Sequence, residues 1–408
     1  MDGHLKLLAR LAESAATKLV LLVLDGVGDI RTPDQPETAL ERASLPNFDA
    51  LARRASLGRL VPVRTGITHG SGPGHLALFG YDPLSEEADI GRGVLEALGS
   101  GLTLAPGDVA VRGNFATADA QGNLTDRRAG RIPTEECVRL VGRMRESLAL
   151  SPVPGMDVTL EAGEGHRFVM VLRGPGLSAA ISDTDPQKLG VPPLQPEPDE
   201  PEASPTVERL RRVLPVLEAA IAAEPKANRV LLRGYSVLPH LPQLTDLYHM
   251  RCGAFAGYPL YRGVAAACGM EVVPCGKRIA EIIATVAEHW GRFDFFFLHV
   301  KQTDQAGEDG NLAAKVAVLE EVDRALPDLL ALAPDVLAVT GDHSTPAPLA
   351  AHSWHSVPLL LAAPFCSLDG AEEFSERAAV AGHLGTFPAR ELLGLMLANG
   401  GRLRKYGA

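Results

Sequence analysis

The sequence predicts an α/β fold in which a sheet carries a layer of helices on each face and a smaller α+β domain is inserted into it. Three observations lead there. Short continuous apolar runs recur near the start and again late in the chain, the mark of strands buried on both faces. Helical periodicities separate the late runs, and strands alternating with helices mean helices layered over a sheet. The middle of the chain has a different pattern, which divides the 408 residues into a discontinuous domain over 1–90 and 245–408 and an insertion over 91–244.

The elements follow in order. Met1 to Lys18 reads as a short amphipathic helix, and Lys18-Leu-Val-Leu-Leu-Val-Leu24 as the first buried strand, ending in Asp25-Gly26. Ser44-Leu-Pro-Asn-Phe-Asp starts a helix, with Ser44 as its cap and Pro46 in the first turn. Gly70-Ser-Gly-Pro-Gly-His75 reads as a tight turn that leaves the Ser71 hydroxyl exposed. In the insertion, Val109 to Asp126 forms two strands around Gln121-Gly122-Asn123, Thr134 to Leu148 a helix, and Val158–Leu160 and Phe168–Leu172 further strands. Six prolines and four acids between Val191 and Pro205 make that stretch a solvated linker or loop. The late region alternates a helix over Lys277 to Trp290, a strand over Phe293 to His299, a helix over Ala313 to Leu326 and strands over Asp335–Thr340 and Val357–Ala362.

Composition narrows the function. There are 50 acidic and 39 basic side chains, a net charge of −11, the opposite balance from a nucleic-acid binder. A local group of arginines still allows an anionic small molecule. Five cysteines without paired spacing fit reduced thiols in the cytoplasm. The Leu19–Leu24 run is too short for a signal peptide or a membrane span, so no membrane partner is expected.

The chemistry collects at strand ends. Asp25, Asp304, Asp342-His343 and His352 bring hard oxygen and imidazole donors to what should be the carboxyl edge of the sheet, where open α/β sheets bind ligands. Such a set suits Mn²⁺, Zn²⁺ or Mg²⁺ and is large enough for two ions, although a single Asp at a strand end is more often a helix cap. Ser71 beside metals would be a nucleophile, and alone an ordinary serine. Arg112-Gly-Asn114 and Asp126-Arg127-Arg128-Ala-Gly-Arg131 are either a solvated basic surface or an anion pocket. His75 reads as support near Ser71, and His166, His240, His249 and His289 as surface or core histidines.

Several of these segments, in this order, resemble the archaeal-type cofactor-independent (2,3-bisphosphoglycerate-independent) phosphoglycerate mutases of the alkaline phosphatase superfamily. They are Leu24-Asp-Gly-Val-Gly28, Ala43-Ser-Leu-Pro-Asn-Phe-Asp49, Gly70-Ser71 with His75-Leu-Ala-Leu-Phe-Gly-Tyr-Asp-Pro83, Arg112-Gly-Asn-Phe-Ala-Thr117, Asp126 to Arg131, Asp183-Thr-Asp-Pro186, Lys301-Gln-Thr-Asp304 and Gly341-Asp-His-Ser-Thr345. The resemblance implies an alkaline-phosphatase-like three-layer α/β/α domain with an inserted substrate domain. It implies an isomerase that interconverts 2- and 3-phosphoglycerate in glycolysis and gluconeogenesis. Ser71 would carry the phosphoryl group, with two divalent metal ions and no 2,3-bisphosphoglycerate. Asp25, Ser71, Asp342 and His343 would hold one ion and Asp304, Glu308 and His352 the other, with Mn²⁺ expected and Mg²⁺, Zn²⁺ or Co²⁺ as alternatives. Arg112, Asn114, Asp126, Arg127, Arg128, Arg131, Arg262 and Lys301 would contact the substrate. Three departures stand out: Glu308 where the family usually has His, Gly72-Pro-Gly74 after the serine, and His355-Ser356 where Asp-Pro is common. Competing readings are a metal-dependent phosphomonoesterase, another phosphosugar mutase of the superfamily, and a phosphoglycerate- or metal-binding protein without turnover.

Overall fold

The computed structural model describes residues 3–85 and 88–407. The chain forms two compact units, Met1–Asp89 with Leu241–Ala408, and Ile90–His240.

The first unit is built on an eight-stranded sheet in the order Gly385–Pro388, Ser56–Val61, Val357–Ala362, Val336–Thr340, Leu19–Leu24, Phe295–Val300, Cys252–Ala256, Glu271–Val272. Leu19–Leu24 lies between two parallel partners, and all six of its residues are buried. That explains its unbroken apolar run: side chains on both pleats leave water, each contributing about 1.5–3 kcal/mol. Val20, Leu22 and Leu24 face one helical layer with Ile282, Ile283, Leu319 and Leu326. One strand departs from the parallel pattern. Val357–Ala362 is antiparallel to both neighbours, so its start, not its end, lies at the rim reached by the other strand ends.

Two further expectations are corrected. Ser44 does not cap the following helix, Pro46–Ala52, whose N-cap is Leu45 without a side-chain bond. The buried Asp323 does that work from a distant helix, accepting from the amides of Asn47 at 3.0 Å and Phe48 at 2.8 Å. The Gly70–His75 stretch is no turn: Ser71 is the first residue of a helix over Ser71–Leu78, with Gly70 as N-cap.

The second unit is a five-stranded antiparallel sheet. Val109–Ala118 pairs with Arg167–Arg173 and Arg229–Val237, and Leu124–Asp126 and Asp157–Ala162 complete it. Helices Thr134–Leu150 and Ser204–Ile221 share one core with the sheet, and Arg92–Gly99 packs against Ala110, Val169 and Val171 through Val94 and Ala97. The proline-rich stretch is a tied loop, since Leu194 N–H bonds Thr184 O at 2.9 Å and Glu197 N–H bonds Ser182 Oγ at 2.9 Å.

Candidate active site and metal centre

In the first unit, Asp25 follows the central strand, Asp342-His343 follows Val336–Thr340, and Asp304 lies in the helix Gln302–Glu308 after Phe295–Val300. His352 arrives from the opposite direction, ahead of the antiparallel strand. Asp25, Asp304, Asp342 and His343 are fully buried, His352 less so.

Glycines permit this crowding. Gly26 has φ +62°, and a Cβ there would stand 2.4 Å from Thr345 Oγ1 and 2.7 Å from Asp304 Oδ1. A Cβ on Gly74 would stand 2.5 Å from Asp342 O, so glycine at that position lets the Ser71 helix press against the Asp342 loop.

Ser71 is buried rather than exposed. Its Oγ lies 3.2 Å from His343 Nε2, and Tyr261 Oη donates to it at 3.5 Å. The same His343 Nε2 stands 3.2 Å from Asp25 Oδ1 and 3.4 Å from Asp342 Oδ2. One ring nitrogen has at most one proton to give, and three oxygens converge on it. His75, one turn beyond Ser71, places Nδ1 2.8 Å from Ser71 O and 3.1 Å from Asp342 Oδ2.

The charges explain the titration. Burial works against the Asp25 carboxylate, yet contacts with His299 and His343 and the charge of Lys301 hold it well below the usual range. Burial also pulls His343 down, but Asp342, Asp25 and Asp304 outweigh it and push it up to about 9. Asp304 is held near 2 against burial, chiefly by His352.

Sequence reasoning missed His299 and Tyr261. His299 Nε2 meets Asp25 Oδ2 at 2.9 Å, and the Tyr261 ring stacks on His299 at 3.6 Å. The signal was present: one histidine inside Phe-Phe-Phe-Leu-His-Val, a strand otherwise wholly apolar. Lys301 pairs with Asp304 and lies 3.5 Å from Asp25 Oδ2, so its ammonium serves the carboxylates of this centre. Arg262 is on the helix Pro259–Ala267 that carries Tyr261.

The second unit holds a separate basic cluster. Arg112 and Asn114 sit two residues apart on one strand, both buried. Arg112 is directly opposite Arg233 on one neighbouring strand, and Asn114 is opposite Arg167 on the other. Among the described residues, Arg112 Nε and Nη1 and Asn114 Oδ1 have no hydrogen-bond partner. Burial, together with Arg92, Arg167 and Arg233, brings Arg112 down to about 10, and burial with Arg167, Arg128, Arg112 and Arg131 takes His166 to about 4. Like charges facing across strands are unfavourable unless something negative joins them. Here Glu96 lies 3.8 Å from Arg112 Nη1, and Asp183 and Asp185 each lie 3.4 Å from Arg233, while the arginines still outnumber these carboxylates, as suits an anion site. Arg128 and Arg131 are exposed beside it, on a turn where Ala129, Gly130 and Arg131 all have positive φ. Two expected contacts are otherwise engaged: Arg127 forks onto Asp185 at 2.7 and 2.6 Å, and Asp126 accepts from the amides of Arg128 and Gly130, both at 2.7 Å. Arg92, Arg167 and Arg233 were not foreseen.

Comparison with known proteins then decides the family. The family described as 2,3-bisphosphoglycerate-independent phosphoglycerate mutase matches residues 52–226. A Thermus thermophilus protein named "Probable 2,3-bisphosphoglycerate-independent phosphoglycerate mutase" is 48% identical over 405 residues, 98% of either chain. The chain belongs to this mutase family. A Deinococcus radiodurans protein of the same name is 43% identical across the whole of both chains. Among solved structures, the cofactor-independent phosphoglycerate mutase of Thermoplasma acidophilum superposes with TM-score 0.72 at 28% identity, covering 94% of this chain and 99% of its own. A Pyrococcus horikoshii protein gives TM-score 0.80 at 29% identity, covering 96% and 99%. The mixed α/β architecture is thus that of a cofactor-independent mutase.

The residues of this mutase fit divalent metal ions. Asp25 Oδ1 and Asp342 Oδ2 are buried beside imidazole nitrogens that have other oxygens to serve, His343 Nε2 and His75 Nδ1. Two groups of donor atoms each close to within 4.8 Å: Asp25, Asp342 and His343, and Asp304, His343 and His352. Oxygen and imidazole donors without thiolate suit hard or borderline ions. The His343 ring, stacked on His352 at 3.8 Å, belongs to both groups, whereas the resemblance assigned it to one. Glu308 lies outside both groups, its carboxylate 3.5 Å from His352 Nε2 and its side chain 53% exposed. Glu308→Ala is therefore expected to weaken Mn²⁺ binding by no more than about tenfold, while His352→Ala weakens it further, beyond the ~10–100-fold of an outer-shell change; calorimetric titration of the two variants checks the order.

Proposed function

We propose that this chain interconverts 3-phosphoglycerate and 2-phosphoglycerate through a phosphoryl group held on Ser71, with two divalent metal ions, Mn²⁺ by expectation, and without 2,3-bisphosphoglycerate. The observation that supports this most is the placing of Ser71 Oγ at the start of a helix, 3.2 Å from His343 Nε2 and beside the Asp25 and Asp342 carboxylates.

Asp25, Ser71, Asp342 and His343 would hold one ion and Asp304 and His352 the other, with Glu308 at its edge beside His352. The ions, when bound, would supply positive charge for the phosphoryl oxygens and make the serine hydroxyl more acidic. Ser71 Oγ attacks phosphorus, the bond from phosphorus to the glycerate C3 oxygen breaks, and that oxygen takes up the proton given by Ser71. The glycerate turns, its C2 hydroxyl attacks the phosphoserine, the bond from phosphorus to Oγ breaks, and the hydroxyl proton returns to Ser71. Tyr261 donates a hydrogen bond to Oγ when it leaves, and the N-terminal amides of the Ser71–Leu78 helix favour negative charge there. Arg112, Asn114, Arg128 and Arg131 would bind the glycerate carboxylate and keep it until the second transfer. This reading places the enzyme in glycolysis and gluconeogenesis in the cytoplasm. Among the described residues no helix is long and apolar enough to cross a membrane.

Phosphorus NMR of 3-phosphoglycerate with the protein and Mn²⁺, with no bisphosphoglycerate added, tests the proposal. Accumulating 2-phosphoglycerate supports it; free phosphate as the main product would replace it with the phosphomonoesterase reading. Arg112→Ala is expected to raise KM for 3-phosphoglycerate at least about tenfold, the worth of one charge-assisted bond, with Mn²⁺ affinity unchanged. Steady-state kinetics and a Mn²⁺ titration on the same preparation check both halves.

A further inference from the structure

Behind the metal centre lies a charged residue that the mechanism above does not use. Lys315, in the helix Leu312–Ala331, is fully buried. Its Nζ donates to Gly28 O at 3.2 Å and to Thr345 O at 2.8 Å. These two carbonyls belong to different loops: Gly28 closes the loop opened by Asp25, and Thr345 closes the one opened by Asp342-His343.

We propose that Lys315 is a positioning residue of the metal centre, its ammonium fastening the Asp25 loop to the Asp342-His343 loop so that their donor atoms stay within reach of a shared ion. The loops interlock at the fastening point. Thr345 N–H bonds Gly26 O at 3.2 Å and Gly28 O at 3.1 Å, and a Cβ on Gly28 would fall 2.0 Å from Ser344 Oγ. Thr345 passes the constraint forward, because its Oγ1 donates to Asp304 Oδ1 and lies 3.0 Å from His343 Nδ1. One ammonium thus fixes the backbone of a residue whose side chain orients ligands of both groups.

A buried lysine is expensive to desolvate and needs hydrogen-bond partners where it sits. Here its hydrogen bonds go to carbonyl oxygens, and Asp29, Glu376 and Asp304, from farther away, offset only part of the burial that lowers its pKa. Asp29 and Glu376 have their own donors: Asp29 accepts from the amides of Ile30, Ala39 and Ala347, and Glu376 from Asp29 N–H and Thr38 Oγ1.

The proposal rests on the metal-centre reading but not on mutase turnover, so its test reads metal binding. Lys315→Met is compared with the unaltered chain and with Leu329→Ala, which removes a buried side chain from the same helix. Thermal midpoint without metal, Mn²⁺ affinity, the visible spectrum of the Co²⁺ form, and kcat and KM at saturating Mn²⁺ are measured. Lys315→Met should weaken Mn²⁺ binding about 10–100-fold and alter the Co²⁺ spectrum, the usual cost of an outer-shell change. It should lower kcat while KM for 3-phosphoglycerate stays within about twofold. Leu329→Ala should lower the thermal midpoint and leave Mn²⁺ affinity unchanged. Should Lys315→Met not fold, Lys315→Met/Glu376→Gln removes both charges together and carries the same expectation. Mn²⁺ affinity within twofold of the unaltered chain and an unchanged Co²⁺ spectrum would overturn the proposal, as would an equal loss of affinity in Leu329→Ala. An unaltered chain that binds Mn²⁺ but makes no 2-phosphoglycerate would remove the mutase reading and leave this inference to the metal data.

Discussion

Ser71→Ala is expected to lower 3-phosphoglycerate turnover by at least about 10⁴-fold, because in the proposed mechanism its Oγ is the atom that accepts the phosphoryl group. Tyr261 is the nearest alternative, 3.5 Å away, and burial together with the charges of Asp25 and Asp342 raises its pKa, so it stays a protonated donor. The fold survives the change. Among the described residues Oγ has only the contacts with His343 and Tyr261 to lose, worth about 1 kcal/mol. Initial rates by phosphorus NMR and a thermal melt on the same sample check this. Turnover within a hundredfold of the unaltered chain, with the fold intact, would remove Ser71 from the nucleophile's place.

Asp342→Asn is expected to weaken Mn²⁺ binding more than the ~100-fold upper range of an outer-shell change, and to lower kcat by at least about 10³-fold. The amide keeps the size of the side chain and an acceptor for Gly26 N–H, which bonds Asp342 Oδ1 at 3.2 Å. It removes one of the two carboxylates that converge with Ser71 Oγ on His343 Nε2. It also takes away the largest charge effect holding His343 near 9, so the variant's imidazole titrates at lower pH. A Mn²⁺ titration followed by rates at saturating metal separates lost binding from lost catalysis. Near-normal Mn²⁺ affinity in this variant would contradict the ligand set containing Asp25, Asp342 and His343.

The rim of the sheet was legible because several candidate ligands sit just after apolar runs: Leu24 precedes Asp25, and Thr340-Gly341 precedes Asp342-His343. Linear spacing carries that information without knowledge of packing. The Ser71 helix was hidden because three glycines and a proline in Gly70-Ser-Gly-Pro-Gly74 are poor helix formers, and one of them is there for a contact made far away, against Asp342 O. Burial of the serine follows from the same approach. His299 was concealed by its strand, which reads as core until the pleat is known to present alternate residues to opposite faces. The arginine cluster was half legible. Arg112 and the Asp126–Arg131 run are visible as motifs, whereas Arg92, Arg167 and Arg233 come from three other elements that only sheet pairing and helix packing bring near. Arg127 illustrates the converse, a cation inside a functional motif whose partner, Asp185, lies 58 residues away.

The most direct measurement is where phosphate resides on the protein during turnover. The Mn²⁺-loaded chain is mixed with 3-phosphoglycerate, quenched in acid within milliseconds, digested and sequenced by mass spectrometry. The account predicts phosphate on Ser71, formed and discharged as fast as 2-phosphoglycerate appears. Phosphate on another residue, or 2-phosphoglycerate formed with Ser71 never modified, would contradict it.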